Sequence, residues 1–160
     1  MKKLIATLLS ASLVSVLAAC GLGGGGAAAI PDTPEGRAFE YRVGVMHAVA
    51  YKVAALRAMA MGEVPVNQEQ FVKDALDTAA LASMIPEGFI PNSAIEGSAA
   101  LPEVWTNNAD FKAKAMELQN NAQALATAAQ QNGFEAAKGM VQAVGGGCGN
   151  CHRPYRRRQE

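Results

Sequence analysis

The residues best equipped for chemistry lie near the C-terminus, in the run Cys148-Gly149-Asn150-Cys151-His152. Two thiols three positions apart, with an imidazole directly after the second, supply what covalent haem attachment requires. Each sulfur adds across one vinyl group of the porphyrin, and the histidine is held under the iron as an axial ligand. Two other chemistries use similar residues. A zinc site needs two further ligands, and the remaining cysteine and histidine are Cys20 and His47. A thioredoxin-like dithiol belongs at a strand-to-helix junction, and no strand pattern precedes this one. The spacing therefore points to one c-type haem, with Cys148 and Cys151 as the thioether positions and His152 as an iron ligand.

That chemistry takes place outside the cytoplasm, and the N-terminus carries an address that fits. Residues 1–19 read as a lipoprotein signal peptide: Lys2 and Lys3, an apolar run from Leu4 to Val16 too short to span a membrane comfortably, and small residues ahead of a cysteine. The ending Leu17-Ala18-Ala19-Cys20 looks like a lipobox. It implies that Cys20 becomes a lipid-bearing N-terminus and that the chain is periplasmic and membrane-anchored; the other reading is an ordinary secretory peptide cleaved just before Cys20. Residues 20–33 form a glycine- and alanine-rich tether with few side chains to pack. Residues 34–160 suffice for one domain with one core and a basic C-terminal end.

Composition narrows the classes. Half of the chain is apolar and only 6% aromatic, which favours helices over sheets. Removing Lys2 and Lys3 leaves 12 basic against 14 acidic residues, a net −2 with no basic face for nucleic acid. No paired-carboxylate motif, nucleophile elbow or phosphate loop is present, so the chain does not read as an enzyme.

Four helices are predicted from period and punctuation. The first opens at Thr33-Pro34 and runs to about Met61 before Gly62, with Arg42, Met46, Val49, Val53, Leu56 and Ala60 along one seam. The second opens at Asn67, with Gln70 completing a capping box, and presents Val72, Ala75, Leu76, Ala79 and Ala82 before Pro86. A long loop over 86–102 follows. The third begins at Asn107 or Asn108, presents Phe111, Ala115, Leu118, Ala122, Leu125 and Ala129, and ends at Asn132-Gly133. The fourth aligns Phe134, Ala137, Val141, Val144, Cys148, Cys151 and Tyr155. Steps of three and four average 3.5 residues, which predicts an all-α, antiparallel, left-handed four-helix bundle. Both haem cysteines fall on the inward seam, so the bundle must enclose the haem. Gly145-Gly146-Gly147 interrupts this helix, each glycine costing about 1 kcal/mol against alanine, and close approach of the backbone to the ring would account for them.

Taken together, Cys-x-x-Cys-His close to the C-terminus, Tyr41-Arg42 one turn ahead of Met46, Gly62-Glu63-Val64-Pro65 at the first turn and Pro102-Glu103-Val104-Trp105 before Phe111 resemble the class II cytochromes c, which comprise the cytochromes c′ and their low-spin, methionine-ligated relatives. The resemblance covers roughly residues 34–158. It implies a periplasmic haem bundle, often a homodimer through helices one and two. It also assigns roles: Arg42 beside a haem propionate, Arg156 on the proximal face, and Met46 over the distal side of the iron. Two features depart from the family: Pro154 just beyond the haem motif, and the lipid anchor.

Met46 lies on the seam of helix one, so its thioether points towards the haem, and histidine–methionine ligation would suit an electron carrier serving a periplasmic or membrane redox partner. The alternative is a five-coordinate haem binding nitric oxide or carbon monoxide, with Met46 as a plug. His47 lies about 100° round the helix from Met46 and reads as a surface residue. Trp105 reads as packing over the loop and haem end. The arginines from Arg153 to Arg158 form a solvated basic end that could steer an acidic redox partner or touch anionic headgroups.

Overall fold

The computed structural model describes residues 29–158. Cys20, the signal peptide and most of the tether fall outside them. Among the described residues every regular element is helical: α1 Pro34–Ala60, α2 Gln68–Met84, α3 Glu103–Thr106, α4 Asn108–Ala137 and α5 Val141–Tyr155, with short 3-10 turns at Ile85–Gly88 and Lys138–Met140.

Local chemistry accounts for the helix starts. Thr33 is extended and its hydroxyl accepts from the Gly36 amide at 3.1 Å, with Pro34 at the first helical position. Asn67 accepts from the Gln70 amide at 3.0 Å. The reciprocal half of the expected capping box is not made, because the Gln70 side chain donates instead to Asp74, at 2.9 Å. Gly62, at φ 71°, ends α1 in a conformation that side-chain-bearing residues rarely adopt.

Residues Asn132-Gly133 do end the third predicted helix, as a break rather than a loop. Gly133 has φ 78° and ψ −175° inside the span assigned to α4, and the chain resumes helical geometry at Phe134. The Phe134 amide, freed by that break, donates to Gln68 Oε1 at 2.9 Å. The last helical run thus starts at a joint capped from α2.

Around the ring, α2 packs between α1 and α4, and α5 between α4 and α1. Short connections at 61–67 and at Gly133 make sequential helices antiparallel neighbours, which gives a four-helix bundle. The seams of α4 and of the last helix are buried as expected, with Leu125, Ala122 and Val144 fully enclosed.

The α2 seam needs correction. Leu76 is exposed and Val72 only half-buried, whereas Phe71, which the sequence reading left off the seam, is completely enclosed. The helix is rolled so that Phe71 meets Phe134 edge-to-face at 4.9 Å between centroids. The same roll buries Asp74 at the α1 interface, where Lys52 pairs with it at 2.8 Å.

The 86–102 segment closes one end of the bundle. It starts as a 3-10 turn whose Gly88 lies directly on α1: a Cβ there would come within 2.6 Å of the Arg42 Cβ. It finishes in the α3 turn, which the sequence reading missed, before α4 begins at Asn108. α5 ends at Tyr155, one residue after Pro154. The chain then extends at Arg156, bridging antiparallel to Ala100, with the Leu101 amide donating to Tyr155 O at 3.0 Å and the Arg157 amide to Ala99 O at 2.8 Å.

Candidate functional site

Cys148 and Cys151 sit one turn apart on α5 and enter different apolar clusters. Cys148, half-buried, packs on the main core with Val144 and Val141; Cys151, buried, joins Val104, Phe111 and Tyr155 beneath the loop. Neither forms a disulfide. Burial pushes the Cys148 thiol up, and it pushes Cys151 up to about 11 against the opposing pull of Lys114. Both are therefore protonated S–H groups at neutral pH, aimed into apolar surroundings. Among the described residues no cluster of three or more His, Cys, Asp or Glu side chains could hold a metal ion.

His152 is partly buried. Burial first, and then the charge of Arg156, lower its pKa below the usual value, so at neutral pH it is an uncharged imidazole with a lone pair available to a metal. Arg156 is exposed and its backbone is fixed by the bridge to Ala100.

Arg42 is the least expected group. It is 4% exposed, yet all four of its hydrogen bonds go to uncharged oxygens of the loop: Nη1 to Gly88 O at 3.0 Å and Ser93 Oγ at 3.2 Å, Nη2 to Ser93 O at 2.7 Å and Ser98 Oγ at 3.2 Å. Its guanidinium also lies over the rings of Phe39, Phe89 and Trp105 at 5.1, 5.3 and 5.9 Å. Among the described residues no carboxylate forms an ion pair with it. Buried charges are normally paired, and desolvation lowers this one's pKa. The loop satisfies its hydrogen bonds and leaves its charge uncompensated.

Met46 is half-buried, one turn beyond Arg42, and packs on the same core cluster as Cys148. His47 is exposed, as its position on the helix required. Of the three glycines preceding Cys148, Gly147 backs onto α4, where a Cβ would lie 3.3 Å from Leu118 Cδ1. Gly145 and Gly146 have open space, and nothing in the structure explains them.

Sequence reading missed the groups that anchor α5. The Tyr155 hydroxyl donates to the Asp110 carboxylate and accepts from Asn107 Nδ2 at 3.2 Å, fixing the last turn to the start of α4. The sign of this was available: a tyrosine on an inward seam needs a partner for its hydroxyl. Two thiols, a neutral imidazole, an uncompensated guanidinium and a half-buried thioether fit a covalently held haem with acidic substituents.

The sequence pattern of the family described as cytochrome C′ matches residues 37–156. A cytochrome c-556 from Agrobacterium tumefaciens is 38% identical over 120 residues, spanning 73% of this chain and 94% of the relative. Among solved structures, cytochrome c prime from Shewanella frigidimarina is 33% identical, with a TM-score of 0.74 over 78% of this chain and 97% of that one. A nitric oxide complex of a cytochrome c prime variant from Alcaligenes xylosoxidans is 26% identical, with a TM-score of 0.72 over 78% and 97%.

Proposed function

The chain belongs to the cytochrome c′ family, with haem c as its cofactor, and from that premise we propose that it carries single electrons through one haem ligated by His152 and Met46. The observation carrying this reading is Met46, half-buried on the inward side of α1 and packed on the core cluster that also receives Cys148.

When bound, the haem supplies an iron that takes up and returns one electron. The chain's own residues do the rest. Cys148 and Cys151 would hold the ring by thioethers, each S–H adding across one vinyl group. His152, kept neutral by burial, offers a lone pair to the iron. Met46 would offer a thioether to the iron, a ligand that raises the potential relative to a second imidazole. The uncompensated guanidinium of Arg42 would take a haem carboxylate as its counter-charge, and Arg156 would add positive charge near His152.

Optical spectra test the ligation. The holoprotein should be low-spin in both oxidation states, with a weak red sulfur-to-iron band when oxidised, and Met46→Ala should be high-spin and bind carbon monoxide readily. A parent protein that is already high-spin and binds nitric oxide without losing a ligand sinks the electron-carrier reading. It would establish the second one, gas binding on an open distal face, which the nitric oxide complex of a structural relative favours.

Cys20, by the lipobox reading, anchors the protein to a membrane from the periplasmic side; Cys20→Ser should move it from the membrane to the soluble fraction, and unchanged partitioning would refute the anchor. A redox partner in the periplasm or membrane follows from the carrier role. Exposed Tyr51 on α1 and Leu76 on α2, with Val66 in the connection between them, support a homodimer through these helices.

A further inference from the structure

The basic run that closes the chain is used by neither the core nor the haem, Arg156 excepted. Arg153, Arg157 and Arg158 are exposed, and among the described residues no carboxylate forms an ion pair with any of them. They are not a loose tail. Arg153 is held on α5, its Nε donating to Gly149 O at 3.2 Å and its Nη2 to Asn150 Oδ1 at 2.6 Å, and the Arg157 amide donates to Ala99 O at 2.8 Å. Acidic residues of the same end are spread over the start of α1, the loop and α4, and three are engaged: Asp32 by Arg37, Glu87 by the Tyr41 hydroxyl, and Asp110 by Lys114 and Tyr155. The arginines, by contrast, fall within the six positions from Arg153 to Arg158.

Where that patch sits decides its occupant. Sequential helices are antiparallel, so α5 finishes at the end where α1 begins. The contacts agree: Arg42, eight residues beyond Pro34, donates to Ser98 Oγ, the Ala100 amide donates to that hydroxyl at 3.2 Å, and Ala100 bridges Arg156. The chain therefore enters the bundle at the arginine end, with Gly62 and Gly133 at the other. By the lipobox reading, residues 20–33 separate the lipid from α1, and a flexible chain of that length spans about 20 Å on average. That is about half the length of α1, so the tether brings the entry end to the membrane, and the arginine patch with it.

We propose that Arg153, Arg157 and Arg158 dock on anionic phospholipid headgroups, guanidinium to phosphate, and stand the bundle on the membrane with the C-terminal end of α5 facing the lipid. The choice of lipid over an acidic protein rests on the anchor reading; the charge of the patch does not. Each arginine at an anionic surface contributes about five-fold in affinity. Three of them orient an anchored domain without holding it there alone, so release by Cys20→Ser is still expected.

The test is sedimentation of the Cys20→Ser holoprotein with phosphatidylglycerol vesicles and with phosphatidylcholine vesicles at low ionic strength, which reads the arginines whether or not the parent carries lipid. The protein should pellet with phosphatidylglycerol only, and be released as salt is raised. Arg157→Gln should weaken binding about five-fold. Combining it with Arg153→Gln and Arg158→Gln should bring binding down to the phosphatidylcholine level while the helical circular dichroism stays unchanged. No binding to phosphatidylglycerol, equal binding to both lipids, or a triple variant that binds like its parent overturns the proposal. Arginine-dependent retention on immobilised polyglutamate without vesicle binding also overturns it, and assigns the patch to an acidic protein. Vesicle binding alongside a parent chain that fractionates as soluble keeps the patch and removes only the tether.

Discussion

Helix α1 sends two cations towards the interior, ten residues apart, and the fold treats them differently. Lys52 is met by carboxylates: Asp74 at 2.8 Å and Asp77 at 2.7 Å, which hold its ammonium well above its usual range. Arg42 is buried more deeply and meets only carbonyls and hydroxyls. The Lys52 end of the bundle is electrostatically complete within the polypeptide. The Arg42 end is complete in hydrogen bonds and incomplete in charge, which is the condition expected of a site built around an acidic ligand.

Arg42→Leu should break the contrast most severely. It strands the Gly88 and Ser93 carbonyls beneath the loop, and unsatisfied buried acceptors cost about 1–3 kcal/mol each, so a loss of about 2–5 kcal/mol is expected in urea unfolding of the holoprotein. The haem potential should fall as well, because a nearby positive charge is lost. A stable variant with an unchanged potential would show that Arg42 serves neither loop nor haem.

Asp74→Ala tests the other end. Lys52 keeps Asp77, so only the buried hydrogen bonds from Lys52 and Gln70 are lost, and about 1–2 kcal/mol is expected with no change in the haem spectrum. A spectral change here would mean that the two ends are coupled through α1.

The smallest effect concerns Tyr155 and emerges only in alkali. Burial first, and then its bond to Asp110, push its pKa up to about 12 from the ordinary 10.0. In that window the folded state holds a proton that the unfolded state has released. The contribution is thus fully present below pH 10 and is lost as pH rises towards about 12. Tyr155→Phe should flatten that part of the stability profile; an unchanged alkaline slope would show that the hydroxyl does not titrate differently on folding.

What was legible in the sequence follows the range of the interaction responsible. The haem motif spans five residues, and the caps at Thr33 and Asn67 act over three, so both could be read directly. The roll of α2 could not, because Phe71 and Leu76 are equally apolar and the choice between them is made by Phe134, more than sixty residues away. Arg42 was assigned to the site by resemblance, but its loop partners are 46 to 56 residues distant and carry no local signal. The Gln70 side chain was misassigned for a similar reason: Asp74, brought to the α1 interface by the roll of the helix, competes for its amide.

The break at Gly133 has a mechanical consequence. Cys151 lies eighteen residues beyond it along a nearly continuous helical run, an arm of about 27 Å at 1.5 Å per residue. On such an arm each degree of rotation at the joint displaces the thioether position by about 0.5 Å, which is the tolerance within which functional groups must be held. The angle is set where Gln68 clasps the Phe134 amide. A single side-chain amide on α2, far from both cysteines in sequence, is thus the trim screw for where α5 delivers its sulfurs.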